Sequence, residues 1–325
     1  MAKVNPLLSV VVPVYNEGAV LHAFHLSLLH VLEPLTEGSF EVIYCNDGSQ
    51  DDTAAHIQAW HAKDARIKAL SLSRNFGKEI ALSAGIARAQ GQAVLTIDGD
   101  GQHPVELIPH FLESWRAGNK VVIGLRTENS KEGWFKRLGS RYFHLLFNKL
   151  TGQQLVAGSS DFRLIDHEVQ QEFVRMSESD RVVRGLIDWL GFKRDYIHFK
   201  AYAREHGTTG YSKRKLLKLA ADSFVSLSPT PLYLFGYLGI MITVLALLLG
   251  IAIIIEQLLL GDPLHWHFTG TAMLGILILF LVGIVLLSQG ILSLYISHIH
   301  NQSKQRPLYV IDYEASAGLT KNFED

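Results

Sequence analysis

Leu95-Thr96-Ile97-Asp98-Gly99-Asp100-Gly101-Gln102-His103-Pro104 is an apolar run that stops abruptly in two carboxylates one residue apart. The run reads as the end of a strand over residues 93–97. Residues i and i+2 of a strand share a face, so Asp98 and Asp100 are expected to converge at its end. Oxygen-rich sites for Mg2+ or Mn2+ are built from carboxylates placed in this way, and such a cation commonly holds a diphosphate. Chemistry on a nucleotide-activated substrate is therefore the first expectation.

Outward from this stretch, residues 1–125 alternate between Val/Ile-rich runs and helix-like segments. Strands are expected over 9–14, 40–45, 67–72, 93–97 and 121–124, with helices at 51–63, 79–89 and 105–117. That alternation implies an α/β domain whose mainly parallel sheet carries helices on both faces. Ligands of such sheets bind at the carboxyl ends of the strands. Three polar clusters fall there: Asn16-Glu17, Asn46-Asp47-Gly48-Ser49, and Asp98 to His103. Residues 126–228 are less regular. Over 134–150, Trp134, Phe135, Leu138, Tyr142, Leu145 and Leu146 recur near helical spacing among Lys136, Arg137, Arg141 and Lys149. This is either a basic helix lying in a membrane interface or a core-facing helix with a solvated face. Residues 213–228, basic and then apolar, fit a second surface-skimming segment.

The chain has 325 residues, is 48% hydrophobic and carries a net charge of -1, which excludes a disordered chain and argues against nucleic acid as its main partner. Two uncharged apolar runs, 232–255 and 272–296, of roughly 24–25 residues each, are long enough to span a bilayer. Lys213, Arg214, Lys215 and Lys218 precede the first; Lys304 and Arg306 follow the second; the loop between them has no Lys or Arg. The positive-inside rule then places both termini in the cytosol. Pro6 and Pro13 interrupt the early apolar residues, so no signal peptide is expected. A lone cysteine, Cys45, forbids an internal disulfide and suits a reducing compartment.

Taken singly, the remaining motifs are ordinary. Asn46–Ser49 alone is a turn before a helix cap, and Arg74-Asn75-Phe76-Gly77-Lys78 alone is an exposed helix start with an appetite for anions. Their order carries more. Pro13 to Glu17, Asn46 to Ser49, Ser73 to Glu79 and Asp98-x-Asp100-x-Gln102 before Pro104 together resemble the family-2 glycosyltransferases of the GT-A fold. Gly158-Ser159-Ser160-Asp161-Phe162-Arg163-Leu164, residues 181–192 and 204–216, and then two spans resemble one branch of that family, the polyprenyl-phosphate glycosyltransferases. The branch includes bactoprenol glucosyltransferases and dolichol-phosphate mannose synthases.

The resemblance implies roles position by position. Pro13, Tyr15, Glu17, Asp47, Lys78, Asp98 and Gly99 would contact the nucleotide-sugar; Asp98, Asp100 and Gln102 would hold Mg2+ or Mn2+. Asp161 would be the catalytic aspartate beside Asp100, and Arg126, Arg137, Ser212 and Lys213 would take the acceptor phosphate. Gly99 and Gly101 stand where the family often has Ala and Leu, which suggests a more flexible metal loop. Asn46 replaces a commoner acidic residue. His103 reads as a loop residue rather than a ligand, and Trp115 and Trp189 as packing residues.

The expected layout is a catalytic domain at 1–228, a two-helix transmembrane domain at 229–300 and a cytosolic tail at 301–325, in the inner membrane. The expected partners are a nucleotide-diphosphate sugar, above all UDP-glucose or another UDP-sugar, a polyprenyl phosphate such as undecaprenyl phosphate, and the membrane itself, in a homo-oligomer such as a tetramer. The reaction expected is inverting transfer for cell-envelope glycan modification. A phosphomonoester is largely dianionic at neutral pH, so Asp161 is expected to orient the donor more than to remove a proton. Two other readings compete. A processive polysaccharide synthase would bring a Gln-x-x-Arg-Trp motif and more spans, and no such motif occurs here. A non-catalytic nucleotide-sugar scaffold would not need Asp98, Asp100 and Gln102.

Overall fold

The computed structural model describes residues 6–127, 158–178, 181–200, 270–303 and 306–319, with Met241, Val244 and Leu248 singly. Two compact units emerge, one of Met1–Asn148, Gly152–Thr209 and Arg306–Asp325, the other of Lys149–Thr151 and Gly210–Gln305.

The first unit is built on a seven-stranded sheet. Its strands are β1 (Leu8–Val14), β2 (Phe40–Asn46), β3 (Ile67–Ser71), β4 (Ala93–Thr96), β5 (Val121–Arg126), β6 (Ser159–Asp166) and β7 (Arg194–Phe199). They lie side by side in the order β3-β2-β1-β4-β6-β5-β7. β1 pairs in parallel with β2 and β4, β2 with β3, and β5 with β7, while β6 runs antiparallel to β4 and β5. This is the expected mainly parallel α/β sheet, extended by strands from the stretch that reads as irregular.

Helices cover both faces, which is why β1 and β2 are buried along their whole length and read as unbroken apolar runs. α1 (Gly18–Thr36), α2 (Thr53–Lys63) and α4 (Ile108–Arg116) pack on the face that receives Val10 and Val12. α3 (Lys78–Arg88), α5 (His167–Arg175) and α6 (Val183–Trp189) pack on the face that receives Val11. Period-2 alternation along β1 thus feeds two separate cores. α1 is long and apolar enough by composition to cross a bilayer, yet its Leu21, Leu28 and Leu32 are fully buried against the sheet. It is a core helix.

From β1 the chain moves outward through β2 to β3, then returns through α3 to β4 on the other side of β1. The strand order reverses between β1 and β4, and a crevice opens at such a point.

β4 ends at Thr96, so Asp98 and Asp100 lie in the turn that follows and not on the strand. Residues 306–319, expected as a tail, lie against the outer edge of β3 through antiparallel bridges Leu72–Ile311 and Ala69–Ala317. Ser73 N–H donates to the Val310 carbonyl and Asp312 N–H to that of Ser71. An uncovered edge strand invites pairing with another chain, and this strap occupies it.

In the second unit, α7 (Gly270–Ser303) runs for 34 residues without an Asp, Glu, Lys or Arg. It contains the whole of the expected span 272–296. The other expected span, 232–255, lies outside the described residues except for Met241, Val244 and Leu248, and so do the segments 134–150 and 213–228.

Candidate active site

The site forms where β1, β2 and β4 end and antiparallel β6 begins. The β1 and β2 loops are stitched together first: Asn16 N–H donates to Ser49 Oγ (3.0 Å) and Gln50 N–H to Asn16 Oδ1 (2.8 Å). Asn16 holds φ at 54°, a left-handed backbone for which asparagine is well suited. Pro13 is buried in β1, and Tyr15 is exposed beside these loops with its ring free to meet a planar group.

Asp47 lies beneath the next loop, almost wholly buried. Its Oδ1 accepts the Phe76 N–H (2.7 Å) and its Oδ2 the Gly77 N–H (2.9 Å). Burial raises its pKa, and the two N–H bonds and Arg74 oppose that. Asp47 thus shapes the loop that delivers Lys78. A Cβ on Gly48 would come within 2.7 Å of the Arg74 carbonyl carbon, so glycine is required for this close approach.

Sheet register supplies the central contact. Thr96 of β4 pairs with Arg163 of antiparallel β6. Two steps forward from Thr96 is Asp98, and two steps back from Arg163 is Asp161, so the two carboxylates meet across the strand ends. Lys78, the first residue of α3, places its Nζ 2.6 Å from Asp98 Oδ1 and 2.7 Å from Asp161 Oδ2. Burial works against the Lys78 charge, but Asp98 and Asp161 outweigh it and raise the pKa. Burial likewise works against the Asp161 charge, and Lys78 and then Arg184 more than offset it, so the carboxyl ionises below its ordinary range.

In the Asp98–Gln102 turn, Asp100 Oδ1 accepts the Gln102 N–H (3.0 Å). His103 is buried between Phe162 and Phe199, and its Nδ1 accepts the Asp98 N–H (3.3 Å). Burial lowers its pKa and keeps it neutral. Gly99 is tightly packed rather than flexible: a Cβ there would lie 2.9 Å from Glu17 Oε2 and 3.2 Å from both Leu21 Cδ1 and Val14 Cγ1. Gly101 is the residue with freedom to turn, at φ 73° with open space around it.

Among the described residues no three His, Cys, Asp or Glu side chains form a closed metal cage. The oxygens of Asp98, Asp100 and Gln102 nevertheless suit a hard divalent cation that takes its remaining ligands from a diphosphate. Asp161 Oδ1, buried and without a hydrogen-bond partner, adds unmet acceptor capacity beside them.

On the far side of Asp161, Arg163 is 1% exposed and donates to Asp188 Oδ1 (2.9 Å), Ser159 Oγ (2.5 Å) and the Ser160 carbonyl (3.0 Å). Glu79 Oε2 accepts the Val183 N–H at the start of α6 (2.8 Å). Burial, followed by Asp161, raises the Glu79 pKa. Arg163, Glu79 and Arg184 were missing from the expected site. Their one sequence signal is membership of the motifs around Asp161, Lys78 and residues 181–192.

Of the expected acceptor residues, Arg126 is exposed at the end of β5, with its N–H donating to the Gly158 carbonyl (2.8 Å). Arg137, Ser212 and Lys213 lie outside the described residues. Trp115 packs as expected and donates its Nε1–H to Asp166 Oδ2 (2.8 Å), whereas Trp189 is 67% exposed and does not pack.

Residues 9–173 match the glycosyl transferase family 2 profile. The chain belongs to glycosyl transferase family 2. Its relatives in this family align over nearly the whole chain. The bactoprenol glucosyl transferase of Shigella phage SfV is 36% identical over 94% of this chain and 98% of its own. A prophage bactoprenol glucosyl transferase homolog of Escherichia coli K12 is 34% identical over 94% and 98%, and the uncharacterized glycosyltransferase YkcC of Bacillus subtilis is 36% identical over 93% and 92%. These matches put the family-2 chain in the polyprenyl-phosphate branch that its motifs resemble. Among solved structures, glucosyl-3-phosphoglycerate synthase from Mycobacterium tuberculosis, in complex with Mn2+, UDP-glucose and phosphoglyceric acid, aligns with 68% of this chain and 78% of its own at 20% identity and a TM-score of 0.46. The sheet described above is the GT-A-like α/β arrangement of this family.

Proposed function

We propose that this glycosyltransferase moves a sugar, with inversion, from a nucleotide-diphosphate donor to a polyprenyl phosphate at the cytosolic face of the membrane. UDP-glucose or another UDP-sugar is the proposed donor. The observation that carries the reading is the Lys78-bridged pair Asp98–Asp161 at the strand ends. It belongs to a chain whose near full-length relatives bear the name bactoprenol glucosyl transferase. Membrane residence is supported by α7, free of charged residues other than histidine, on which Leu274, Ile278, Val285 and Ile296 are half exposed or more.

Each residue then has a task. Tyr15 and the Asn46–Ser49 loop receive the nucleoside, and Asp47 fixes the Phe76–Gly77 loop that delivers Lys78. Asp98, Asp100 and Gln102 would hold Mg2+ or Mn2+, which when bound supplies positive charge for the leaving diphosphate. Lys78 keeps Asp98 and Asp161 together despite their like charge. Asp161, held ionised, orients the donor sugar while an acceptor phosphate oxygen attacks its anomeric carbon. Electrostatic preorganisation of this kind acts without reorganisation at the moment of reaction.

Membranes from cells producing the chain, incubated with polyprenyl phosphate and a panel of labelled nucleotide sugars, test this. The expected product is an organic-extractable, mild-acid-labile sugar lipid that needs Mg2+ or Mn2+ and vanishes with EDTA. A long polymer would instead make the chain a synthase, and no product from any donor would leave it a scaffold.

A further inference from the structure

Two anions, the donor diphosphate and the acceptor phosphate, must meet beside the Asp161 carboxylate, and Coulomb repulsion opposes this unless cations stand between them. Among the described residues, most cations near the site are already engaged. Lys78 is taken by Asp98 and Asp161, and Arg163 by Asp188. Arg74 lies over the Phe76 ring, by the loop that Asp47 holds.

Arg184 is different. Its guanidinium offers five N–H donors, yet it makes a single hydrogen bond, to the Ser159 carbonyl at 3.5 Å, and no ion pair among the described residues. It is half-buried and near enough to Asp161 and Glu79 to favour their charged forms. Its backbone is held from both sides. The neighbouring Val183 N–H is bound by Glu79, and the Arg184 carbonyl accepts from Arg163 Nη1 (3.3 Å), which also grips Asp188 one turn later. Such anchoring is characteristic of a preorganised group, and it leaves most of the guanidinium N–H donors unused beside Asp161. Ser159, which that guanidinium touches, pairs with Leu125, and the Arg126 N–H bonds to adjacent Gly158. The Arg184 guanidinium therefore lies at the start of β6, beside the backbone that leads to Asp161.

We propose that Arg184 is a catalytic residue that receives the phosphate of the lipid acceptor. The inference rests on the function proposed above and names a cation for it among the described residues. A guanidinium fork matches two phosphate oxygens at once. It leaves the third oxygen to give its electron pair to the anomeric carbon, as the bond from that carbon to the diphosphate breaks and its electrons leave on the nucleoside diphosphate.

The test uses the full chain in detergent with a UDP-sugar donor and undecaprenyl phosphate. Arg184→Gln should raise the acceptor KM about 10- to 100-fold, the span expected for a lost charge-assisted hydrogen bond or pair of them. The donor KM and the affinity for UDP, read by calorimetry, should stay within about twofold. Arg184→Lys, which keeps the charge and loses the fork, should fall between. An unchanged acceptor KM, or UDP affinity that falls in parallel, overturns the assignment. Wild-type chain that transfers sugar to no lipid phosphate overturns the function itself, a result readable before any variant is made.

Discussion

Asp161 and Gly99 show how differently a residue can look in the chain and in the fold. Asp161 is ionised below its ordinary range because Lys78 and Arg184 flank it, and the proposed acceptor is a phosphate that needs no strong base. Asp161→Asn is therefore expected to lose transfer by about 100-fold or more, with little recovery at high pH in a kcat/KM profile. Recovery once the acceptor is fully dianionic would instead mark Asp161 as a base. Gly99 reads in sequence as slack in a metal loop, but a Cβ there would press on the Glu17 carboxylate and on the Leu21 and Val14 methyl groups. Gly99→Ala should cost about 1–3 kcal/mol of stability by overpacking, and thermal unfolding measures it.

At the scale of elements, α1 and α2 meet through a titratable contact. His25 stacks on Trp60, with ring centroids 3.9 Å apart, and shares a 2.9 Å hydrogen bond with the Tyr44 hydroxyl. Burial, with His22 nearby, lowers its pKa to about 4. Below about pH 6.5 the unfolded chain takes up a proton that folded His25 refuses, so stability falls as pH drops toward 4, by at most ~3 kcal/mol. The apparent Tm should drop between pH 7 and pH 5, and the drop should shrink in His25→Phe. The strap at 306–319 makes a second element-scale case. A chain ending at residue 305 exposes the β3 edge and frees the Ser71 and Ser73 backbone groups that the strap satisfies. It should melt at a lower temperature and aggregate in light scattering. The apolar run Leu308–Ile311 is the strap's one sequence signal, and Tyr309 and Ile311 pack against the core, but which edge it covers is not written in it, because edge pairing uses backbone groups, which every residue has.

For the whole molecule, the proposed membrane residence rests on the exposed apolar side chains of α7, which a lipid surround would cover. The full chain is expected to stay in the membrane pellet after alkaline carbonate extraction; release into the supernatant would make it peripheral. The layout along the chain was readable because apolar length and strand period are local properties. Five strands of the sheet, the charge-free run at 272–296 and the motif order all follow from residues close together in sequence. β6, β7 and α6 were not readable in this way, since their burial depends on the sheet they complete.

The same division runs through the site. By itself, the sequence determined which chemical groups are available: carboxylates at 98 and 100, a lysine opening α3, an aspartate at 161, and the family to which their order belongs. Only the tertiary structure decided that Asp98 faces Asp161 across the β4–β6 register with Lys78 between them, and that Arg184 is left with donors to spend. The physical reason is that side-chain identity is a local property, whereas pairing of charges depends on distances between residues far apart in the chain, here Asp98 and Asp161, 63 positions apart and bridged by Lys78.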